Sequence, residues 1–196
     1  MKNLIKNNTL AVAIVALIVA GGAIAAGSVI EKNAGDETHE TQAAATADRA
    51  FIEEMIPHHE SAIAMAELAE ERAESEQVKT LASSIIRDQQ REITQMKDWY
   101  QQWYGTEVPA AAGGEHGGGH GGMTAEDDIS ALQATDNFDL EFVRRMIPHH
   151  ESAVTMAEAV LPQAKHQETK DLAQAIIASQ SAEITQMRQL EAKVSD

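Results

Sequence analysis

The sequence contains no cysteine, only four prolines and few aromatic residues, which make up 4% of the chain. Without cysteine, neither a disulfide framework nor a thiolate metal site is available, so a soft metal ion would have to bind methionine or histidine. Basic residues are also scarce: 15 lysines and arginines stand against 31 acidic residues, and the formal net charge is −16. This charge repels phosphate backbones and attracts cations, so nucleic acid is not expected as a partner.

The first thirty residues have the pattern of an export signal. Lys2 and Lys6 precede an uncharged, largely apolar run of 22 residues, Thr9–Ile30. Ala23 and Ala25 offer a cleavage site of the A-x-A type. The run is also long enough to cross the ~30 Å hydrocarbon core of a bilayer, so a cleaved signal and a membrane anchor through this run both remain open. Lysines on the N-terminal side predict a periplasmic or extracellular location for the rest of the chain in either case.

An internal repeat organises the remaining sequence. Aligning the chain with itself places Asp48–Asp98 on Asp139–Gln189, an offset of 91 positions, without a gap and with about half of the positions identical. The first repeat begins DRAFIEEMIPHHESAIAMAE and the second DLEFVRRMIPHHESAVTMAE, and each continues at the same distance to EITQM. The match indicates one supersecondary unit that has been duplicated.

Each repeat has the periodicity of two helices, because its apolar residues recur at three- and four-residue spacings. We expect helices at about 48–73 and 76–104 in the first repeat and at about 138–161 and 165–194 in the second, with Pro162 ending the third helix. One helical hairpin cannot enclose its apolar stripe, whereas two packed hairpins can. The predicted fold is therefore all-α: a four-helix bundle of two repeated αα-hairpins, after an N-terminal apolar signal or anchor helix.

Two segments outside the repeats differ from them in composition. Residues 31–47 are rich in Ala, Thr and Glu and are expected to form a flexible linker. Residues 105–137 contain GGEHGGGHGGM, whose glycines disfavour a helix and predict a mobile connecting loop. The expected organisation is a signal or anchor at 1–30, the linker at 31–47, hairpin repeat 1 at 48–104, the Gly/His-rich loop at 105–137 and hairpin repeat 2 at 138–196.

Methionine and histidine are concentrated on the core-facing stripe of the expected helices. At about 100° per residue, Met55, His58, His59 and Met65 share the face that also carries the apolar residues of the first helix. Met96 follows on the second helix, and the duplicate repeats the pattern. The candidate metal ligands are Met55, His58, His59, Met65 and Met96 in the first repeat, and Met146, His149, His150, Met156 and Met187 in the second.

Thioether sulfur is a soft, neutral donor, and imidazole is borderline, so this set favours copper as Cu(I), or Ag(I). Glu92 and Glu183 lie on the same core stripe and are expected to orient the imidazoles. We expect each repeat to provide half of the Cu(I)-binding capacity, so that the methionines of one repeat bind the metal together. His116, His120 and Met123 in the connecting loop form a weaker candidate cluster.

Three other interpretations remain open at this stage. Buried methionines are usually core filling, and Glu92 and Glu183 could accept hydrogen bonds from histidine without any metal. A di-iron site would use Glu-x-x-His pairs, which are absent: Glu54 precedes His58 by four residues, and its repeat partner is Arg145. A helical chaperone or sensor domain would use the acidic surface, but it leaves the repeated histidine pairs unexplained.

Pro57 and Pro148 lie within the helical pattern, immediately before the histidine pairs. Proline in a helix interior removes one amide donor and kinks the helix. The alternative is that each proline starts a helix, with residues 48–56 forming a short separate one. The sequence does not decide between the two.

The pattern M-x-x-H-H followed by Met65, and then by E-I-x-x-M, resembles a domain-of-unknown-function family with a ferritin-like four-helix fold. The resemblance covers essentially Asp48–Ser195 and occurs twice. It implies a role in copper resistance, with binding of Cu(I), Ag(I) or Cu(II) in the periplasm or outside the cell, through the ten methionines and histidines named above. No catalysis is expected. A protein that donates or accepts copper is an expected partner that the sequence does not identify.

Overall fold

The computed structural model describes residues 34–110 and 125–194, and side chains within 46–110 and 126–193. These residues are all-α, as predicted, with no strand in the described ranges. The helices are α1 (Ala34–Arg72), α2 (Glu76–Tyr104), α3 (Ala125–Ala134), α4 (Phe138–Val160) and α5 (Gln167–Val194). None of them combines the length and apolar character that a membrane crossing requires. The predicted signal or anchor, Thr9–Ile30, lies outside the described residues.

Local sequence signals account for the ends of α2 and α4. Ser75 adopts an extended conformation, and its side chain accepts a hydrogen bond from the amide of Gln77, which caps the start of α2. Gly105 ends α2 with φ 70°, a left-handed conformation that glycine adopts without strain. Asn137 caps α4 by accepting from the amide of Leu140 at 3.3 Å. These bounds agree closely with the helices expected from the periodicity.

α1 packs antiparallel to α2, and α4 packs antiparallel to α5. In the first repeat, Glu60 of α1 pairs with Lys97 of α2, and Glu70, further along α1, bonds to Ser83, which comes earlier in α2. This order of contacts shows that the two helices are antiparallel. In the second, Arg144 contacts Glu191 at 2.9 Å and α4 runs antiparallel to α5 in the same way. The two hairpins meet chiefly through α1 and α4.

The two hairpins hold each other at their turns through a pair of equivalent aspartates. Asp139, at the start of α4, accepts hydrogen bonds from the backbone amides of Glu74 and Ser75, in the turn that follows α1. Asp48, on α1, accepts in the same way from the amides of Lys165 and His166, in the turn that follows α4. Asp48 and Asp139 are repeat partners, so the contact is reciprocal. It fixes α1 antiparallel to α4.

Two elements differ from the sequence expectation. α1 begins at Ala34 rather than at about residue 48, so the segment expected to be a flexible linker is helical over most of its length. Its alanine and glutamate residues have high helix propensity, which explains why the helix extends. Within the expected connecting loop the structure also has α3, whose Asp128 forms an ion pair with Arg145 at 2.7 Å. The carbonyl of Leu132 accepts from Arg72 at 2.7 Å, so tertiary contacts hold this short helix.

Both prolines lie inside continuous helices. Pro57 is within α1 and Pro148 within α4, which excludes the interpretation that either one starts a helix. Each proline leaves the carbonyl four residues earlier without its usual amide donor.

We predict that Asp139→Ala lowers the free energy of unfolding by about 0.5–3 kcal/mol, because two partly buried backbone amides lose the acceptors that the buried Asp139 carboxylate provides. Asp48→Ala should have an effect of similar size at the other turn. Urea denaturation followed by circular dichroism measures both, with Asp136→Ala, an exposed aspartate, as the matched control. Equal stability of Asp139→Ala and Asp136→Ala would show that the reciprocal contact contributes nothing.

Candidate metal centre

The six repeat methionines lie in two separate buried clusters, one toward each end of the paired hairpins. We call them cluster A and cluster B. Cluster A contains Met65, Met146 and Met187, packed with residues such as Phe142 and Leu190. Cluster B contains Met55 and Met96, with Met156 packed against them. Five of these methionines have no exposed surface, and Met156 alone is partly exposed.

Each cluster draws its methionines from both repeats. Since α1 and α4 are antiparallel, Met65 of the first repeat faces the end that holds Met146 and Met187 of the second. Met156 joins Met55 and Met96 for the same reason. The structure therefore separates Met65 from Met55 and Met96 of its own repeat, and the expectation that methionines of one repeat bind a metal together stays a prediction. Register between the hairpins, which the sequence does not reveal, decides the grouping.

A buried imidazole–carboxylate pair lies between the clusters in each repeat. Nε2 of His59 is 2.7 Å from Oε2 of Glu92, and Nε2 of His150 is 2.9 Å from Oε2 of Glu183. Both imidazoles are fully buried. The sequence placed these carboxylates on the core stripe, and the structure brings each one to a single histidine.

The second ring nitrogen of these histidines is buried and has no hydrogen-bond partner among the residues that the structure describes. This holds for Nδ1 of His59 and Nδ1 of His150. A carboxylate that is ionised accepts only, so a neutral imidazole paired with it carries its proton on Nε2 and presents a lone pair on Nδ1. Met55 and His59, and likewise Met146 and His150, are four residues apart and therefore adjacent on one helix face. A buried nitrogen lone pair beside a buried thioether is a donor set that suits a soft cation.

The other two histidines meet each other at the centre. The rings of His58 and His149 have centroids 3.9 Å apart and an interplanar angle of 46°. They are repeat partners, so this contact marks the midpoint of the antiparallel α1–α4 contact. It brings four imidazoles into the region between clusters A and B.

Glutamine side chains on the same stripe extend the polar part of the core. Oε1 of Gln89 and Oε1 of Gln180 are buried and have no hydrogen-bond partner in the described part of the chain. Gln89 and Gln180 are not among the candidate ligands expected from the sequence. Their exact repetition at both positions was the signal that could have identified them.

Cluster B differs from cluster A in the aromatic side chains that pack against it. Trp99 and Trp103 pack against cluster B. Below them Tyr100 donates a hydrogen bond to Glu53, and burial together with this bond raises the pKa of Tyr100. Burial alone would raise the pKa of Glu53, but the hydrogen bonds from Tyr100 and Arg49 outweigh it and lower that pKa. The hydrogen bonds from Tyr100 and Arg49 therefore keep the Glu53 carboxylate charged at the edge of cluster B.

Some predicted participants are not brought together. Glu54 is exposed, and Arg145 is bound to Asp128 and Glu141 rather than to the histidines. Within residues 34–110 and 125–194, no group of three or more His, Cys, Asp or Glu side chains is placed to hold one metal ion. The di-iron alternative therefore gains no support there. The loop candidates His116, His120 and Met123 lie outside the described residues.

The fold and the candidate site together define a class: an all-α protein whose core carries methionine, histidine and glutamate side chains at equivalent positions of a sequence repeat. The chain belongs to the DUF305 family, described as a domain of unknown function, whose family model matches residues 48–191. No curated protein matches the sequence.

Solved structures agree with this family membership. The chain is 46% identical to CopM in its Cu(I)-bound form, with a TM-score of 0.66, covering 74% of this chain and 96% of that one. For CopM in its Cu(II)-bound form the identity is 49% and the TM-score 0.67, with the same coverage. A DUF305 fragment from Deinococcus radiodurans is 28% identical, with a TM-score of 0.67, covering 75% of this chain and 96% of the fragment. The resemblance to a domain-of-unknown-function family that the sequence predicted is thereby confirmed, and the chain is similar to CopM over most of its length.

We predict that Glu92→Leu lowers the free energy of unfolding by about 1–3 kcal/mol, because the buried Nε2–H of His59 loses its acceptor. Glu92→Gln should recover most of this loss, since its amide oxygen still accepts. Glu60→Leu removes an exposed ion pair with Lys97 and is the matched control, with an expected change of about 0–1 kcal/mol. Chemical denaturation measures the free energy of unfolding of each variant. Equal values for Glu92→Leu and Glu60→Leu would show that the His59–Glu92 pair does not stabilise the fold.

Proposed function

We propose that this protein binds copper as Cu(I), with Ag(I) as a chemical equivalent, and sequesters it outside the cytoplasm as part of copper resistance, without catalysis. In this proposal the four long helices form one ferritin-like four-helix bundle of two repeated hairpins. The observation that carries the proposal is the duplicated buried imidazole whose Nε2 is held by glutamate and whose Nδ1 is left with a free lone pair. A purely structural histidine–glutamate pair would not need buried methionine beside it in both repeats.

The proposed ligands divide between the two clusters. Cluster A would bind an ion through Met65, Met146 and Met187, with His150 one turn from Met146. Cluster B would use Met55, Met96 and Met156, with His59 one turn from Met55. Glu92 and Glu183 would hold the imidazoles in the tautomer that leaves Nδ1 available. His58 and His149, in contact with each other, lie between the two sites.

Hard cations fit this donor set poorly. Mg²⁺ and Ca²⁺ require oxygen ligands, and the core donors here are mainly thioether sulfur and imidazole nitrogen. A neutral thioether also avoids the disulfide chemistry that disables thiolates outside the cytoplasm. Relatives support the same metals: CopM has been solved in Cu(I)-bound, Cu(II)-bound and Ag-bound forms.

Export and capture complete the proposal. The lysines and apolar run of residues 1–30 support an exported protein, either released or anchored in the membrane through residues 9–30. The net charge of −16 raises the local concentration of cations. His116, His120 and Met123 are proposed to capture copper before it enters the core. Exchange of copper with a donor or acceptor protein remains part of the proposal.

The decisive test compares three variants that each carry three Met→Leu changes. The cluster A variant changes Met65, Met146 and Met187; the cluster B variant changes Met55, Met96 and Met156; the repeat variant changes Met55, Met65 and Met96. Each should keep its fold, since Met→Leu swaps conserve volume and cost less than about 1.5 kcal/mol per site. We expect the first two to lose one tight Cu(I) site each and the repeat variant to weaken both.

Cu(I) stoichiometry by elemental analysis and competition with a chromogenic Cu(I) chelator measures this outcome, with circular dichroism as the control for folding. Because all three variants carry the same number and type of changes, differences among them report position alone. Unchanged stoichiometry in all three would place copper elsewhere. Retention of iron or manganese, with Cu(I) bound no more tightly than by a His-rich peptide, would favour the di-iron alternative.

Peroxide should impair the two clusters unequally. Met156 is the partly exposed member of the six, so we expect it to form sulfoxide first and cluster B to lose Cu(I) before cluster A does. Mass spectrometry of peptides, combined with Cu(I) titration at each stage of oxidation, follows this order. A Met156→Leu variant is the control, and equal loss from both clusters would contradict the prediction.

A further inference from the structure

Met65 and Met156 are repeat partners, yet their side chains differ in exposure. Met65, in cluster A, has no exposed surface, whereas Met156, in cluster B, is partly exposed. The sequence around them is nearly the same, HHESAIAMAE for Met65 and HHESAVTMAE for Met156. The local sequence therefore does not account for the difference in exposure.

The short helix α3 covers the end of the molecule that holds cluster A. Leu132 of α3 is fully buried and belongs to the same cluster of buried side chains as Met65. Asp128 of α3 forms an ion pair with Arg145 of α4 at 2.7 Å. The carbonyl of Leu132 accepts a hydrogen bond from Arg72 of α1, also at 2.7 Å. α3 is thus attached to both of the helices that it covers.

These two attachments of α3 lie on either side of Met65 along α1. The stacked rings of His58 and His149 mark where the antiparallel helices α1 and α4 meet. Because both helices rise about 1.5 Å per residue, Arg145, four residues before His149, lies level with the residue four positions after His58. One attachment therefore lies three residues before Met65 along α1, and the other, at Arg72, lies seven residues after it.

The first repeat contains a counterpart of α3 in its sequence but not in its structure. At the 91-residue offset, residues 34–43 correspond to residues 125–134. The positions that are identical are Ala34, Asp36, Gln42 and Ala43. Residues 34–43 are the first part of α1, which continues without a break to Arg72. An uninterrupted helix extends along its own axis, so this segment does not turn back across its hairpin as α3 does.

Substitutions at the contact positions explain why the two segments fold differently. Apolar residues of α3 are replaced by threonine in the first repeat, and both members of its ion pair are replaced by glutamate. The positions, each followed by its counterpart, are Ile129 and Thr38, Leu132 and Thr41, Asp128 and Glu37, and Arg145 and Glu54. Threonine buries less apolar surface than isoleucine or leucine, and two glutamates repel each other. Val108 packs against cluster B, but Met156 remains partly exposed.

We propose that cluster B is the site where the protein exchanges a soft monovalent cation with its surroundings, and that α3 closes cluster A so that it exchanges slowly. Met156 is the ligand that first meets the ion, because an incoming donor or cation must reach the sulfur. The two clusters then differ in exchange rate although their donors match. The inference rests on the proposed function, because it requires that both clusters bind the ion.

Transfer kinetics test the assignment of the two clusters. Protein loaded anaerobically with Cu(I) is mixed with excess chromogenic Cu(I) chelator in a stopped-flow instrument. We expect two phases that differ at least about tenfold in rate, or ~1.4 kcal/mol in barrier height. The cluster B variant should lack the fast phase and the cluster A variant the slow one. Both tryptophans of the chain pack against cluster B, so tryptophan fluorescence should change with the fast phase.

Variants of the α3 contacts test whether this helix limits release from cluster A. Leu132→Thr combined with Arg145→Glu introduces the residues of the first repeat, and it should accelerate the slow phase about tenfold and leave the fast phase unchanged. Asp128→Asn weakens the ion pair alone and should accelerate the slow phase at least about threefold. Glu126→Gln removes one charge from an exposed position of the same helix and is the matched control. Cu(I) stoichiometry should stay the same in all three variants, because no donor is changed.

Loading rates test the role of Met156. Met156→Leu and Met96→Leu each remove one thioether from cluster B, so both should weaken its equilibrium affinity for Cu(I). Met96 is fully buried, whereas Met156 is partly exposed. We therefore expect Met156→Leu, but not Met96→Leu, to slow the loading of cluster B from a Cu(I)–chelator complex about tenfold.

The outcomes separate this inference from the function on which it rests. A single transfer phase from protein that holds copper tightly in both clusters overturns the inference and leaves the function intact. The same conclusion follows if the fast phase belongs to cluster A, if the slow phase is unchanged in both α3 variants, or if Met156→Leu and Met96→Leu load at equal rates. If the unmodified protein fails to compete with the chelator at equilibrium, the proposed function itself fails.

Discussion

The antiparallel contact between α1 and α4 is the constraint on which the rest of this structure depends. Asp48 and Asp139 fix it from both ends, because each carboxylate accepts hydrogen bonds from backbone amides of the other repeat. With this register set, His58 lies on its own repeat partner, His149. Residues that flank one histidine then face the residues that flank the other in reverse order. Each buried cluster must therefore draw on both repeats.

The polar groups of the core follow from the same arrangement. Burying an imidazole or a carboxylate is costly unless it is paired, and the structure pairs His59 with Glu92 and His150 with Glu183. The pairing satisfies one nitrogen of each ring and leaves the other beside methionine. A core built only for stability would be expected to satisfy both nitrogens or to use apolar residues instead. This partial satisfaction, present in both repeats, is what links the fold to the proposed metal binding.

Departures from the repeat symmetry occur at the periphery of the core. α3 covers one end through the Arg145–Asp128 ion pair, and Arg145 is itself a position where the repeats differ. At the opposite end Trp103 of α2 stacks on His166, which precedes α5. Duplication thus preserved the donors and changed what surrounds them.

The sequence by itself determined the helices and their inward faces. Periodicity identified the stripe, Ser75 and Gly105 mark the ends of α2, and the 91-residue offset showed the duplication, because all of these are local signals read along one chain. It did not determine α3, a short helix held by Arg145, or the extension of α1 to Ala34. Only the tertiary structure decided that Met65 joins the methionines of the other repeat. That grouping depends on the register between hairpins, which is set by contacts between residues far apart in sequence.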